Sequence, residues 1–158
     1  MALDLEYQGP SGIVLTRQNL PEQPHEGTLR DGACKGAYIL KKEKGGKPDF
    51  CLMATGSEVS LAMDVAAELE KRDHSVRVVS MPCWRVFEGQ PEAYQKEVVG
   101  GDLGKRVAIE AASPMGWHKW IGPEGVAICM ETFGASAPIG DLQKEFGFNV
   151  DDILQRIL

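Results

Sequence analysis

The chain has 158 residues, 43% hydrophobic and 25% charged, which fits one soluble globular domain with a short appendage. A chain of this length buries a core without needing a metal or disulfide staple. Its net charge of -6 at pH 7 argues against nucleic acid or an anionic membrane as the main partner, but leaves room for a local cationic site.

In chain order, the first apolar run is Ile13-Val14-Leu15-Thr16, reached from Gly9-Pro10-Ser11-Gly12 and expected to be a buried strand. Two prolines and a glycine within Asn19–Gly27 then predict a linker or an extended surface crossing. After it the pattern turns α/β. Ala37–Leu40 is a predicted strand, closed by the charged and flexible Lys41–Gly46. Phe50-Cys51-Leu52-Met53-Ala54 is apolar throughout, as a strand covered on both faces should be. Thr55-Gly56-Ser57-Glu58 opens a helix, with Thr55 and Glu58 at capping-box spacing and Ser57 as the other candidate cap. Val59, Ala62, Met63, Ala66 and Leu69 recur at helical spacing, while Asp64, Glu68, Lys71 and Arg72 supply the wet face.

Val76–Val79 is the next predicted strand, stopped by Met81-Pro82; Phe87–Val99 holds a short helix starting at Pro91. Val107–Glu110 and Val126–Met130 are the last two strands, and short helices around 140–146 and 151–157 close the chain. Strands alternating with helices predict a three-layer α/β fold. Its sheet should be mostly parallel, twisted and five-stranded, with helices on both faces and an N-terminal strand and linker ahead of it.

Few residues offer chemistry. Cys34, Cys51, Cys83 and Cys129 show no CxxC spacing, and with three histidines no metal-ligand pattern appears. Buried free thiols in a reducing compartment are expected. No cationic segment followed by an apolar run opens the chain, and no apolar stretch approaches the roughly 18 residues of a membrane span. The chain therefore reads as cytoplasmic.

The Thr55-Gly56-Ser57 turn is either a capped helix start or, through its free amides, an anion site. Gly100–Arg106 precedes a strand and is a turn rather than a phosphate loop. Met115–Trp120 carries two tryptophans and His118, which Glu110 or Glu124 could orient. Packing or a partner surface is the first reading there; a minor site role and catalysis follow it. Glu131–Pro138 is a tight loop leading into a helix. Arg17 sits where the first strand runs out, at the carboxyl end where α/β sheets bind ligands, and a guanidinium suits bidentate phosphate contact. A solvated strand end is the plainer alternative.

Six segments taken together resemble the C-terminal region of transketolases. They are Gly9–Pro21, Ala54–Val59, Val76–Pro82, Gly116–Gly122, Phe133–Pro138 and Phe146–Phe148, collinear over nearly the whole chain. The resemblance implies that residues 1–20 are the last strand of a pyrimidine-binding domain, 21–35 a linker, and 36–158 the C-terminal domain. It implies that Arg17 contacts the phosphate of the sugar substrate. It also implies that thiamine diphosphate and Mg2+ or Ca2+ bind between upstream domains, at a homodimer interface.

The expected function is that of part of an enzyme transferring a two-carbon ketol unit between phosphorylated sugars in the pentose phosphate pathway. On this reading the chain is a fragment, inactive alone, with no catalytic, cofactor or metal residue of its own. Its partners are the remaining transketolase domains. The alternatives are the same region of a dihydroxyacetone synthase, or a stand-alone anion-binding or oligomerisation module.

Overall fold

The computed structural model describes residues 12–22 and 29–158, with Leu29 and Arg30 described by their backbone. Its elements are α1 Leu29–Cys34, β1 Tyr38–Lys41, β2 Phe50–Ala54, α2 Glu58–Lys71, β3 Val76–Ser80 and α3 Trp84–Glu88. There follow α4 Glu92–Val99, β4 Lys105–Glu110, α5 His118–Ile121, β5 Val126–Cys129, α6 Ile139–Glu145 and α7 Val150–Ile157. Among the described residues no helix is long and apolar enough to cross a membrane.

The sheet runs in the order β1-β3-β2-β4-β5, parallel except for β1, which pairs antiparallel with β3 at the edge. All five residues of β2 are buried, and they alternate between two layers. Phe50, Leu52 and Ala54 pack with α2 and α7, through Val59, Leu69, Ile153 and Ile157. Cys51 and Met53 pack on the other face with Phe87, Val98, Trp117 and Trp120. Burying one such large apolar side chain contributes about 1.5–3 kcal/mol, so a strand feeding two cores stabilises more than an edge strand can.

The helix patterns follow from the same need for cover. Val59, Ala62, Val65, Ala66 and Leu69 form the buried stripe of α2. For α7, Asn149 caps the start by accepting a bond from the Asp152 amide at 3.0 Å. Asp151 and Asp152 stand in its first turn and Arg156 in its last, which suits the helix dipole. Two glycines are fixed by close approach. A Cβ on Gly104 would overlap the carbonyl of Asp49, and one on Gly36 would overlap that of Cys83; both residues hold positive φ.

The structure departs from the sequence reading at several places. Residues 12–16 form no strand and pair with none of the five strands, and Ile13, Val14 and Leu15 are exposed. α1 stands inside the segment read as linker. The approach Gly9–Ser11 and the linker portion 23–28 lie outside the described residues. α3 and α5 were not foreseen, being too short for a helical period to show. Of the four free thiols only Cys51 is fully buried; Cys34, Cys83 and Cys129 are half-buried. Neither Thr55 nor Ser57 caps α2 through its side chain, since Ser57 Oγ instead donates to Glu58 Oε1 at 2.8 Å.

One buried ion pair ties the loop after β1 to the sheet and to α4. Arg77 on β3 donates from Nε to Glu43 Oε2 at 2.7 Å and from Nη2 to Glu43 Oε1 at 2.5 Å. Its Nη1 donates to the carbonyls of Glu97 and Val98 at 2.9 and 3.2 Å, placing a cation at the carboxyl end of α4. Both side chains are buried. The hydrogen bonds from Arg77 hold the Glu43 carboxyl below its ordinary pKa. Glu43→Ala strands a buried guanidinium and should cost about 3–5 kcal/mol in chemical denaturation. The double replacement Glu43→Leu with Arg77→Met should recover most of that loss. A single-variant cost under about 1 kcal/mol would show that water reaches Arg77.

Candidate functional site

The strand order decides where a cleft can open. From β2 the chain crosses to β3 on one side, and from β4 it continues to β5 on the other, so the connections leaving the carboxyl ends of these two paired strands run in opposite directions. Ligand crevices of open α/β sheets lie at such a reversal. Here a cleft of about 220 Å³ is lined by Gln18, Ser57, Glu58, Ala111 and Met130 and, among apolar groups, Leu61, Leu142, Phe146 and Phe148. Glu110 ends β4 next to it, in register with Cys129 of β5.

The electrostatics of this corner are acidic. Burial, then the negative charge of Glu58, pushes the Glu110 carboxyl up to about 7. Burial, then Glu110, pushes the Cys129 thiol up to about 11, so it stays protonated and weakly nucleophilic at neutral pH. Glu58 already supplies the negative charge that the start of α2 favours. An added anion at Thr55-Gly56-Ser57 would meet two carboxyl groups, so the anion-site reading of that turn loses its physical basis.

Among the other candidates, Trp117 and Trp120 are core residues, 0% and 5% exposed. Trp117 stacks edge-on against Trp84 at 5.0 Å, and Trp120 lies against Phe87 at 5.3 Å. His118 is exposed, and among the described residues no hydrogen bond joins it to Glu110 or Glu124. Of the Gly100–Arg106 segment, Gly100–Gly104 is the turn while Lys105 and Arg106 already belong to β4, with Arg106 donating to the carbonyls of Trp120 and Gly101, both at 3.0 Å. Glu131–Pro138 is an exposed loop leading into α6, with Phe133 97% exposed. No group of three His, Cys, Asp or Glu side chains that could hold a metal ion is gathered among the described residues.

Arg17 is exposed at a bend, apart from the buried groups above. The Gln18 amide donates to Thr16 Oγ1 at 3.1 Å, which turns the chain around Arg17, and Gln18 itself borders the cleft. The acidic corner was not singled out from the sequence. Its signal was present all the same, since Glu110 is a charge at the carboxyl end of an apolar run, the argument applied to Arg17.

Residues 36–149 match the family model described as "Transketolase-like TK C-terminal domain". The chain belongs to the transketolase family. It is 50% identical over 152 residues to a transketolase of Staphylococcus aureus strain MW2, covering 94% of this chain and 22% of that relative. The structure matches a transketolase from Leishmania mexicana with a TM-score of 0.78 at 36% identity, over 89% of this chain and 20% of the other. It matches a Pichia stipitis transketolase in complex with sedoheptulose-7-phosphate with a TM-score of 0.79 at 33% identity, over the same shares. The chain thus spans about a fifth of the length of the transketolases it matches. Its α/β sheet is that of the transketolase C-terminal domain.

The Glu110 carboxyl gives this domain a signature in pH. Its folded pKa of about 7 lies above the ordinary 4.5, so between these values the unfolded chain has lost a proton that the folded chain keeps. Stability should therefore be greatest below about pH 4.5 as far as this group is concerned, fall as pH rises through that window, and level off above about 7. Glu110→Gln should remove this fall and raise Tm at pH 8, relative to the unmodified chain, more than at pH 5. Equal Tm shifts at the two pH values would show that Glu110 titrates as an exposed carboxyl does.

Proposed function

We propose that the chain is the C-terminal portion of a thiamine-diphosphate-dependent transketolase, which moves a two-carbon ketol unit between phosphorylated sugars. The observation that carries this reading is its 50% identity to a transketolase over 94% of its own length while spanning only 22% of that relative. Residues 1–20 are assigned to the end of the preceding pyrimidine-binding domain, 21–35 to a linker and 36–158 to the C-terminal domain. The family match over 36–149 supports the last of these. The exposure of Ile13, Val14 and Leu15, at 70%, 96% and 82%, supports a covering surface supplied by the rest of the enzyme. The exposed Phe133 and Met115 support a second area of packing against the remaining domains of a cytoplasmic homodimer.

Thiamine diphosphate and its Mg2+ or Ca2+ are assigned to those remaining domains, since the described residues gather no metal-binding group. No step of bond breaking is assigned to this chain. Its part in the reaction is Arg17, whose guanidinium can grip a sugar phosphate through two parallel N–H bonds. The phosphate-bearing sugar held by the Pichia stipitis enzyme supports this substrate class. A phosphate remote from the reacting carbonyl is bound alike in ground and transition states, so its grip lowers KM rather than raising kcat.

In the complete enzyme, Arg17→Ala should raise KM for phosphorylated sugars by about ten- to a hundredfold with kcat nearly unchanged, the scale of a charge-assisted contact of about 1.5–3 kcal/mol. An equal loss on a non-phosphorylated acceptor would assign Arg17 to structure instead. Calorimetric titration of this chain alone with thiamine diphosphate and magnesium should give no measurable heat of binding. Micromolar affinity would overturn the division of labour between domains.

A further inference from the structure

We propose that the cleft at the carboxyl ends of β2 and β4 docks a lysine or arginine side chain from the domain that precedes this one in the complete enzyme. The inference rests on reading the chain as the C-terminal portion of a transketolase, and adds the surface and the chemistry by which it joins the rest.

The cleft suits a long side chain with a cationic end. It measures about 220 Å³, and its apolar wall includes Leu61 of α2, Met130 after β5, Leu142 of α6 and Phe146. The stem of a lysine or arginine covers such a wall while its charge stays at a polar end. That end is acidic. Glu58 lines the cleft, and Glu110 directly precedes Ala111, which lines it too. Glu131 adds a third carboxyl, following Met130 and acting on the Cys129 thiol. Among the described residues no ion pair reaches Glu58 or Glu110. Glu58 accepts from Ser57 Oγ, a neutral donor, at 2.8 Å. Arg156, the cation that acts on Cys129, is turned to the carbonyl of Ala127 at 3.0 Å. The corner therefore holds negative charge that the domain itself leaves uncompensated, and a cation from outside offsets it.

Two observations point to the preceding domain as the source. Gln18 borders the cleft and belongs to the stretch assigned to the end of that domain, which places the domain's end at the rim. The chain also spans only 22% of its Staphylococcus aureus relative, so most of the enzyme lies outside it. Ile139 on the cleft and Phe133 beside it, 56% and 97% exposed, form the apolar rim that such a contact covers.

The test is amide hydrogen exchange at pH 8, read by mass spectrometry on peptides spanning 54–61 and 106–112. In the isolated chain, Glu110→Gln removes an uncompensated charge, and exchange should slow. In the complete enzyme the same substitution removes a partner of the docked cation. Exchange there should quicken about tenfold or more, the scale of a charge-assisted hydrogen bond, and Glu58→Gln should quicken it likewise. Exchange that slows or stays the same in the complete enzyme, while ketol transfer persists, would overturn the docked cation and leave the transketolase reading standing. Faster exchange in the isolated chain as well would place the partner of Glu110 inside this domain and overturn it too. A complete polypeptide without ketol transfer would overturn that reading, and the docking with it.

Discussion

The constraint on which this domain depends is the burial of β2 on both faces. A strand with five buried residues must have hydrogen-bonded neighbours on each side and cover above and below, or its backbone groups and side chains meet water. β3 and β4 supply the neighbours, in register from Phe50 to Ala54. The two helical layers follow from the alternation of side chains, α2 and α7 on one face and α3, α4 and α5 on the other. Every other element is arranged around this centre, and its irregular segments gather toward the rim.

Polar interactions then fix what hydrophobic burial leaves loose. At the antiparallel edge β1 has an irregular register between Ile39 and Lys41, and Lys41 reaches Glu70 of α2 at 2.6 Å. Such an edge, bulged and carrying a lysine, discourages pairing with another chain. At the other edge Arg156 of α7 donates to the carbonyl of Ala127 in β5 at 3.0 Å. The Arg77–Glu43 pair lies inside the fold and joins residues 34 apart, so it specifies the path of the loop after β1 as well as the end of α4. Exposed pairs such as Lys96 with Glu92 contribute far less, because solvent screens them.

The cleft follows from topology rather than from any local motif. Reversal of the strand order between β2 and β4 brings the start of α2 close to the end of β4, and the resulting acidic corner holds Glu58 and the partly buried Glu110. An acidic corner is an unsuitable place for a phosphate. Arg17, exposed on the chain beside that corner, therefore carries the proposed contact with substrate. Most of the domain's apolar mass, including Trp117 and Trp120, belongs to its interior.

The sequence by itself determined the central strands, α2, the two closing helices and the family. Those signals are local: a fully apolar run for β2, a 3.6-residue stripe for α2, and six collinear segments that need no coordinates to compare. The Ile13–Thr16 run reads as a strand by the same rule, yet it forms none here, because a strand exists only where it pairs with a neighbour and this run pairs with none of the five. The antiparallel placement of β1, the pairing of Glu43 with Arg77, the edge-on contact of Trp84 with Trp117 and the meeting of Glu58 with Glu110 were decided by tertiary structure alone. Each joins residues far apart in the chain, and periodicity carries no record of which distant partner a side chain will meet.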